Sequence, residues 1–302
     1  MHLVIGSALT YFQAIVLGVL QGVTELFPIS SLGHTVLFPT LFGWNELVRA
    51  QSESESFWLA FVVMLHVGSA VGLLIYFWSE WVRIVRAFFV TLRKRRADTP
   101  TERLAWLIII ASIPAGVIGL AFEHALRTLT AKPEVAAVFL VVNGLILFAA
   151  EAYRRRAEVR ELAIREGAKP DGGRELDTLE YRESLVIGAA QSTALVAGIS
   201  RDGVTMGAGL ARGLDHSDAA RFAFLLATPI ILAAGIYKIP SDLLGHVGNG
   251  VRGQAFVGGA AAAVTAVFTV AFLMRYFKTR TLIPFAIYCV LFGTAMVIYT
   301  QT

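Results

Sequence analysis

Residues 13–35, QAIVLGVLQGVTELFPISSLGHT, align without a gap against residues 183–205, ESLVIGAAQSTALVAGISRDGVT. Val16, Gly18, Gln21, Ile29, Ser30, Gly33 and Thr35 fall on Val186, Gly188, Gln191, Ile199, Ser200, Gly203 and Thr205, a self-similarity beyond what shared apolar composition supplies. Both stretches begin as apolar helix and then break into polar, glycine-bearing sequence. In the first, Gln21 and Glu25 stand four apart and share a helix face, and Pro28 ends that helix because it lacks an N–H and clashes with the preceding turn. In the second, Gly198 and Gly203 let the backbone turn sharply.

The chain around these stretches has 302 residues, 56% hydrophobic and 16% charged, with a mean hydropathy of +0.65. That balance excludes a soluble globular domain and points to lipid as the main solvent. A bilayer core asks for roughly 20 apolar residues per helix. Six segments supply them: Phe57 to Trp78, Leu104 to Glu123, Val135 to Tyr153, Ala219 to Lys238, Ala255 to Arg275 and Leu282 to Thr300. The single cysteine, Cys289, lies in the last of these, so neither a disulfide framework nor a cysteine metal site is available. Met1 to Thr10 lacks the basic start and cleavage site of a secretory signal, and the N-terminus is expected to be mature.

Lys and Arg concentrate in Ser79 to Arg103, in Arg154 to Arg182 and in the turn from Arg275 to Arg280. By the positive-inside rule these loops face the cytoplasm, while His124 to Pro133 and Ile239 to Gln254 face outward. The helix at Phe57 then starts outside and the helix at Ala219 starts inside. Tyr11 to Phe42 must enter and leave from the outer face, and Glu183 to Leu214 from the inner face. Each reads as a re-entrant helical hairpin; the plainer alternative is one ordinary spanning helix in each place.

The expected fold is therefore an all-α membrane protein of six transmembrane helices plus two re-entrant hairpins in an inverted-topology repeat. A single domain, 1–302, would hold half one (11–153), a cytoplasmic linker (154–182) and half two (183–300). In such folds broken helices meet at the pseudo-two-fold axis and line a cavity, where irregular backbone is tolerated at membrane depth.

Ionisable groups at that depth are functional candidates, since burying them in lipid is costly. The first hairpin offers Gln21, Glu25, Ser30, Ser31 and His34; the second offers Ser200, Arg201, Asp202, Gly203 and Thr205. Arg201 carries a planar fork suited to phosphate, and amides near Gly203 at a helix start suit an anion. Glu25 capping a neighbouring hairpin, or paired with Arg201 for packing alone, is the competing reading. His66 could reach the site from its helix but reads more readily as packing, Asn143 as interhelical glue, Glu123 and His124 as solvated, and Arg154 to Arg156 as a topology determinant touching anionic lipid.

QGVTELFPISSLGH and AGISRDGVT, with the helices FWLAFVVMLHVGSAVGLLIYF and ARFAFLLATPIILAAGIY after them, resemble the undecaprenyl-diphosphate phosphatase family of the bacitracin-resistance type over essentially the whole chain. The resemblance implies hydrolysis of undecaprenyl diphosphate to the monophosphate carrier used in cell-wall synthesis. It also implies a multi-pass protein of the bacterial inner membrane with its site toward the outer face. The E/QxxxE motif falls on Gln21 and Glu25 as binding and metal-associated groups. Ser31 and His34 follow as nucleophile or proton-transfer partner, and Ser200, Arg201 and Thr205 as phosphate-binding residues. Two positions depart from the second motif, Ala197 for the usual proline and Asp202 for the usual serine.

On this reading a divalent cation, Mg²⁺ or Ca²⁺, sits on Glu25 with Gln21 or Asp202, and Ser31 activated by His34 attacks, with a phosphohistidine at His34 as competitor. Ser30 and Gly203 complete the substrate-binding set. The expected partners are the lipid diphosphate and the bilayer, not nucleic acid, and a homodimer is compatible. A transporter or flippase of polyprenyl phosphates would use the same fold but needs no nucleophile. The type 2 phosphatidic acid phosphatase pattern asks for a His six residues after the Arg, where this chain has Gly207.

Overall fold

A computed structural model describes residues 9–52, 57–130, 132–164, 173–245 and 250–301. Twelve α-helices are defined among them: α1 (Tyr11–Thr24), α2 (Ser31–Leu41), α3 (Asn45–Ser52), α4 (Phe57–Tyr76), α5 (Trp78–Lys94), α6 (Pro100–Thr130), α7 (Pro133–Ile164), α8 (Tyr181–Gln191), α9 (Arg201–Ala211), α10 (His216–Lys238), α11 (Arg252–Tyr276) and α12 (Ile283–Gln301). The described residues contain no strand beyond one isolated bridge between Arg174 and Leu214. Helices α4, α6, α7, α10, α11 and α12 are long and apolar enough to cross a membrane, the six segments expected. Large apolar side chains cover their outer surfaces, with Leu120, Phe268 and Leu291 all about two-thirds exposed or more, as lipid-facing residues should be.

Small residues set the packing. Gly18 and Gly22 of α1, and Gly68 and Gly72 of α4, meet Gly258, Gly259, Ala262 and Ala263 of α11. A Cβ at Gly22 would stand 2.6 Å from the Ala262 carbonyl oxygen, and one at Gly72 the same distance from that of Ala263. Within lipid, where no hydrophobic force drives helices together, this backbone approach supplies the attraction. The α7 and α12 pair uses the same device, with Gly144 against Ala286 and Gly293 against Val141. Helix α8 lies on α6 through Gly188 against Ala111, and the Ser184 hydroxyl donates to the Leu107 carbonyl at 2.6 Å. Helices α10 and α4, which follow the two broken segments, are the most enclosed of the six.

Several boundaries differ from the sequence reading. Helix α6 starts before Leu104 and runs to Thr130, and α7 continues past Tyr153 to Ile164, because a helix need not stop where its apolar stretch does. The first part of the expected linker is thus helical. The basic loop Ser79 to Arg103 holds α5, whose Trp81, Ile84, Phe88 and Thr91 recur at helical spacing and turn inward. Its indole neighbour Trp106 on α6 donates to Thr91 Oγ1 at 3.0 Å. Helix α3 lies between the first hairpin and the first spanning helix, in a stretch to which the sequence reading assigns no element. The side chains of Glu123, His124, Arg160, Arg165 and Lys169 lie outside the described residues, as do residues 1–8.

On the side of the basic loops, Arg174 clamps the end of the linker. It donates to both carboxylate oxygens of Glu183 (2.9 and 3.0 Å) and to the carbonyls of Thr178 and Arg212. These bonds hold the Glu183 carboxyl below its usual range. Arg154 is bonded to His216, which in turn is 2.7 Å from Glu151, so at least this arginine of the 154–156 cluster has an internal partner.

Candidate active site

Helix α1 begins on a capping box, Thr10 with Gln13, and ends at Glu25. Residues 25–30 form the break, and α2 resumes behind Ser30, whose φ of 68° is left-handed. That unusual backbone has a use. The Ser30 hydroxyl oxygen accepts from Gly33 N (3.2 Å), capping α2, and from Gly198 N (3.1 Å) of the second broken segment. Ser200 does the same at the start of α9, accepting from Gly203 N at 3.1 Å. Asn143 of α7 joins the two breaks: its amide donates to the Pro28 carbonyl and its oxygen accepts from Ser200 N, both at 2.9 Å. Gly198, at φ 101°, sits so close to α7 that a Cβ would be 2.7 Å from Leu140 N.

These contacts place Glu25 against Arg201. The two are 176 residues apart in sequence, and Arg201 Nη2 donates to Glu25 Oε1 at 2.6 Å. The other carboxylate oxygen, Oε2, accepts from Gln21 Nε2 (2.9 Å) and from the Ser31 hydroxyl. His66 Nε2 of α4 is 3.4 Å from the same oxygen. His66 Nδ1 faces the Val62 carbonyl at 2.8 Å, and a carbonyl only accepts, so the proton sits on Nδ1. The Nε2 contact with Glu25 is then attractive only with a further proton between the two groups. Gln21, Glu25, Ser31 and Arg201 thus converge, all buried or nearly so.

The remaining expected residues divide between the edge of this cluster and places apart from it. His34 is fully buried, stacked beside Tyr288 and Phe292 of α12. Its Nδ1 lies 2.7 Å from the Ser30 carbonyl and its Nε2 2.8 Å from the Tyr288 hydroxyl. Both ring nitrogens are therefore engaged, and the Ser31 hydroxyl is held by Glu25 instead of His34. The amide of Gly203 is spent on the Ser200 cap and is not a free donor to an anion. Asp202 and Thr205 are almost completely buried, and Asp202 Oδ1, Asp202 Oδ2 and Thr205 Oγ1 have no hydrogen-bond partner among the described residues. Asp202 Oδ1 is 3.5 Å from Arg201 Nε, which is also unpartnered.

Sequence reasoning undervalued His66 and gave no role to Tyr288. Nothing local distinguishes a helical histidine that packs from one that meets a carboxylate 41 positions away. The signal available was His66's place in the first spanning helix after the first broken segment.

Chemically, the cluster presents a hydroxyl with its proton already directed at a carboxylate, an imidazole on that carboxylate, and a guanidinium with free donors. Among the described residues no three His, Cys, Asp or Glu side chains form a metal cage. The unpartnered Gln21 Oε1 and the Asp202 carboxylate are nevertheless hard oxygen donors beside the Glu25 and Arg201 pair, a donor type that suits Mg²⁺ or Ca²⁺ completed by phosphate oxygens and water.

The family model described as bacitracin resistance protein BacA matches residues 14–295. The chain is 52% identical to undecaprenyl-diphosphatase 2 of Frankia alni, covering 94% of this chain and 96% of that protein. It is equally similar, 52%, to undecaprenyl-diphosphatase of Mycolicibacterium paratuberculosis over 96% and 97% of the two chains. The undecaprenyl-diphosphatase of Acidiphilium cryptum is 42% identical over 96% and 98%. With two-segment site, helical membrane fold and near full-length similarity in agreement, the chain belongs to the bacitracin resistance protein BacA family.

Proposed function

We propose that this protein removes the terminal phosphate of undecaprenyl diphosphate by way of Ser31, in the bacterial inner membrane with its site open to the outer face. The observation that carries the reading is the Ser31 hydroxyl donating to Glu25 while Arg201 binds the other oxygen of the same carboxylate. Moving a lipid phosphate across a membrane calls for the guanidinium but for no aligned hydroxyl and base, so the geometry favours hydrolysis over transport. The names of the relatives point the same way.

Arg201 offers the diphosphate its remaining N–H groups and offsets charge in a site of low dielectric, where such stabilisation is strongest. Ser31 Oγ attacks the terminal phosphorus and passes its proton to Glu25. The new Oγ–P bond forms as the bridging P–O bond breaks, and undecaprenyl phosphate leaves. Water then attacks the phosphoserine, one of its protons passing to His66. The Oγ–P bond breaks, Ser31 recovers its proton from Glu25, and His66 gives its proton up to the departing phosphate or to water. A divalent cation, when bound by Glu25 with Gln21 or Asp202, would add charge neutralisation at the phosphates. His34 serves here as a wall and anchor for α2 through Tyr288.

The architecture behind the site is read as an inverted repeat of two re-entrant hairpins. Three correspondences support it. Ser30 and Ser200, aligned in sequence, cap α2 and α9 in the same way through Gly33 and Gly203. The aligned Gly18 and Gly188 make close backbone contacts with α11 and α6, the helices that correspond in the two halves. Helices α1 and α8 are too short to cross a bilayer.

Purified protein should release phosphate from undecaprenyl diphosphate, and Ser31→Ala and Glu25→Gln should each reduce the rate at least roughly 100-fold. Wild-type rates in both variants would refute the assignment. A chelator that leaves the rate unchanged would remove the cation from it.

A further inference from the structure

Helix α5 presents three faces. Trp81, Ile84, Phe88 and Thr91 turn into the protein, while Trp78, Val85, Phe89 and Leu92 form a second apolar stripe that is exposed, Trp78 and Phe89 by 61% and 63%. Arg83, Arg86, Arg93 and Lys94 form the exposed basic face beside it. An exposed apolar stripe flanked by cations is the pattern of a helix lying in the membrane interface, stripe in the acyl region and cations at the headgroups.

At the C-terminal end of α5 the surface is hollowed into a recess of about 330 Å³, lined among others by Leu92, Arg95, Arg96, Trp106, Ile110 and Tyr181. Its lining is divided by chemistry: Leu92, Ile110 and Trp106 are apolar or aromatic, and Arg95, Arg96 and Tyr181 are donor-bearing residues. Arg95 ends the helix in the left-handed conformation, φ 58°, a position where glycine or asparagine is the unstrained choice. An arginine there accepts backbone strain that glycine would not. Arg96 holds Asp98 through Nε at 2.9 Å, which orients its guanidinium and leaves further N–H groups.

We propose that this recess is a binding site for the headgroup of an anionic phospholipid. The phosphate lies between Arg95 and Arg96, and the first part of the acyl chains runs along Leu92, Phe89 and Val85. Charge complementarity selects an anionic lipid over a zwitterionic one, and continuity of the recess with the exposed apolar stripe selects a lipid over free phosphate. The site is separate from the Glu25 and Arg201 cluster and does not depend on the catalytic reading.

The test is the thermal stability of the purified full chain in neutral detergent with added phosphatidylglycerol, phosphatidylcholine or inorganic phosphate. Phosphatidylglycerol should raise Tm by roughly 5 °C, with little change from the other two. Arg95→Gln with Arg96→Gln should lose at least half of that shift. Arg95→Gly is the second variant, because it relieves the strained cap and should keep or raise the basal Tm while still weakening the phosphatidylglycerol effect. An undiminished shift in both variants would overturn the proposal, as would an equal response to phosphatidylcholine or to inorganic phosphate.

Discussion

In the proposed reaction Glu25 is the residue on which the chemistry turns, because its two oxygens separate two tasks. Oε1 holds Arg201, and Oε2 gathers Ser31, Gln21 and His66. An ion pair this enclosed is costly to break, by roughly 3–5 kcal/mol if one partner is removed, so deleting Arg201 confounds folding with catalysis. Arg201→Lys separates them: it keeps a cation for Glu25 but loses the planar fork. Phosphate release should fall roughly 100-fold while the thermal transition moves little, and an unchanged rate would deny the fork a part in holding the diphosphate. Most of these residues were legible in the sequence because polar types stand out in an apolar chain. Their pairings were not, since which imidazole meets which hydroxyl depends on helix rotation. His34 and His66 illustrate this, one pointing to Tyr288 and the other to Glu25.

At the scale of elements, the spanning helices were readable because lipid imposes both length and composition, whereas α3 and α5 were hidden in polar stretches where no such constraint acts. Helix packing here is a matter of glycine placement. Gly72 has the Ala263 carbonyl oxygen 2.6 Å and the Ala266 Cβ 2.7 Å from where a Cβ would stand, whereas Gly116 has nothing within 4 Å among the described residues. Gly72→Ala should force α4 and α11 apart at a cost of about 1–3 kcal/mol. Gly116→Ala should gain about 0.5–1 kcal/mol from helix propensity. Thermal melts of the two variants in one detergent check the pair, and a Gly72→Ala protein as stable as wild type would contradict the small-residue account of the interface. The self-similarity of residues 13–35 and 183–205 aligns Ser30 with Ser200, which prove to cap α2 and α9 alike; it could not anticipate Asn143, which has no place in either segment yet ties both.

Across the whole molecule, two polar assemblies hold the chain at different places: the Asn143, Ser30 and Gly198 bonds between the breaks, and the Arg174 clamp on the linker. The clamp makes stability depend on pH. Because the folded Glu183 carboxyl titrates below its usual value near 4.5, its contribution is complete above that value and is lost as pH falls through the folded pKa. Melting temperature should therefore drop between pH 5 and more acidic solution, in part through this pair, and Glu183→Gln should flatten that drop while lowering stability at neutral pH. A variant with the wild-type pH profile would remove the clamp from the account. The central claim, that the two broken segments are assembled to make Ser31 a nucleophile, is tested most directly by rapid acid quench of the protein during turnover of undecaprenyl diphosphate labelled in its terminal phosphate. Peptide mapping should find acid-stable label on the peptide carrying Ser31 and none in Ser31→Ala; acid-labile label on that peptide, recovered in a parallel alkaline quench and therefore on His34, or full phosphate release by Ser31→Ala without any label, would contradict it.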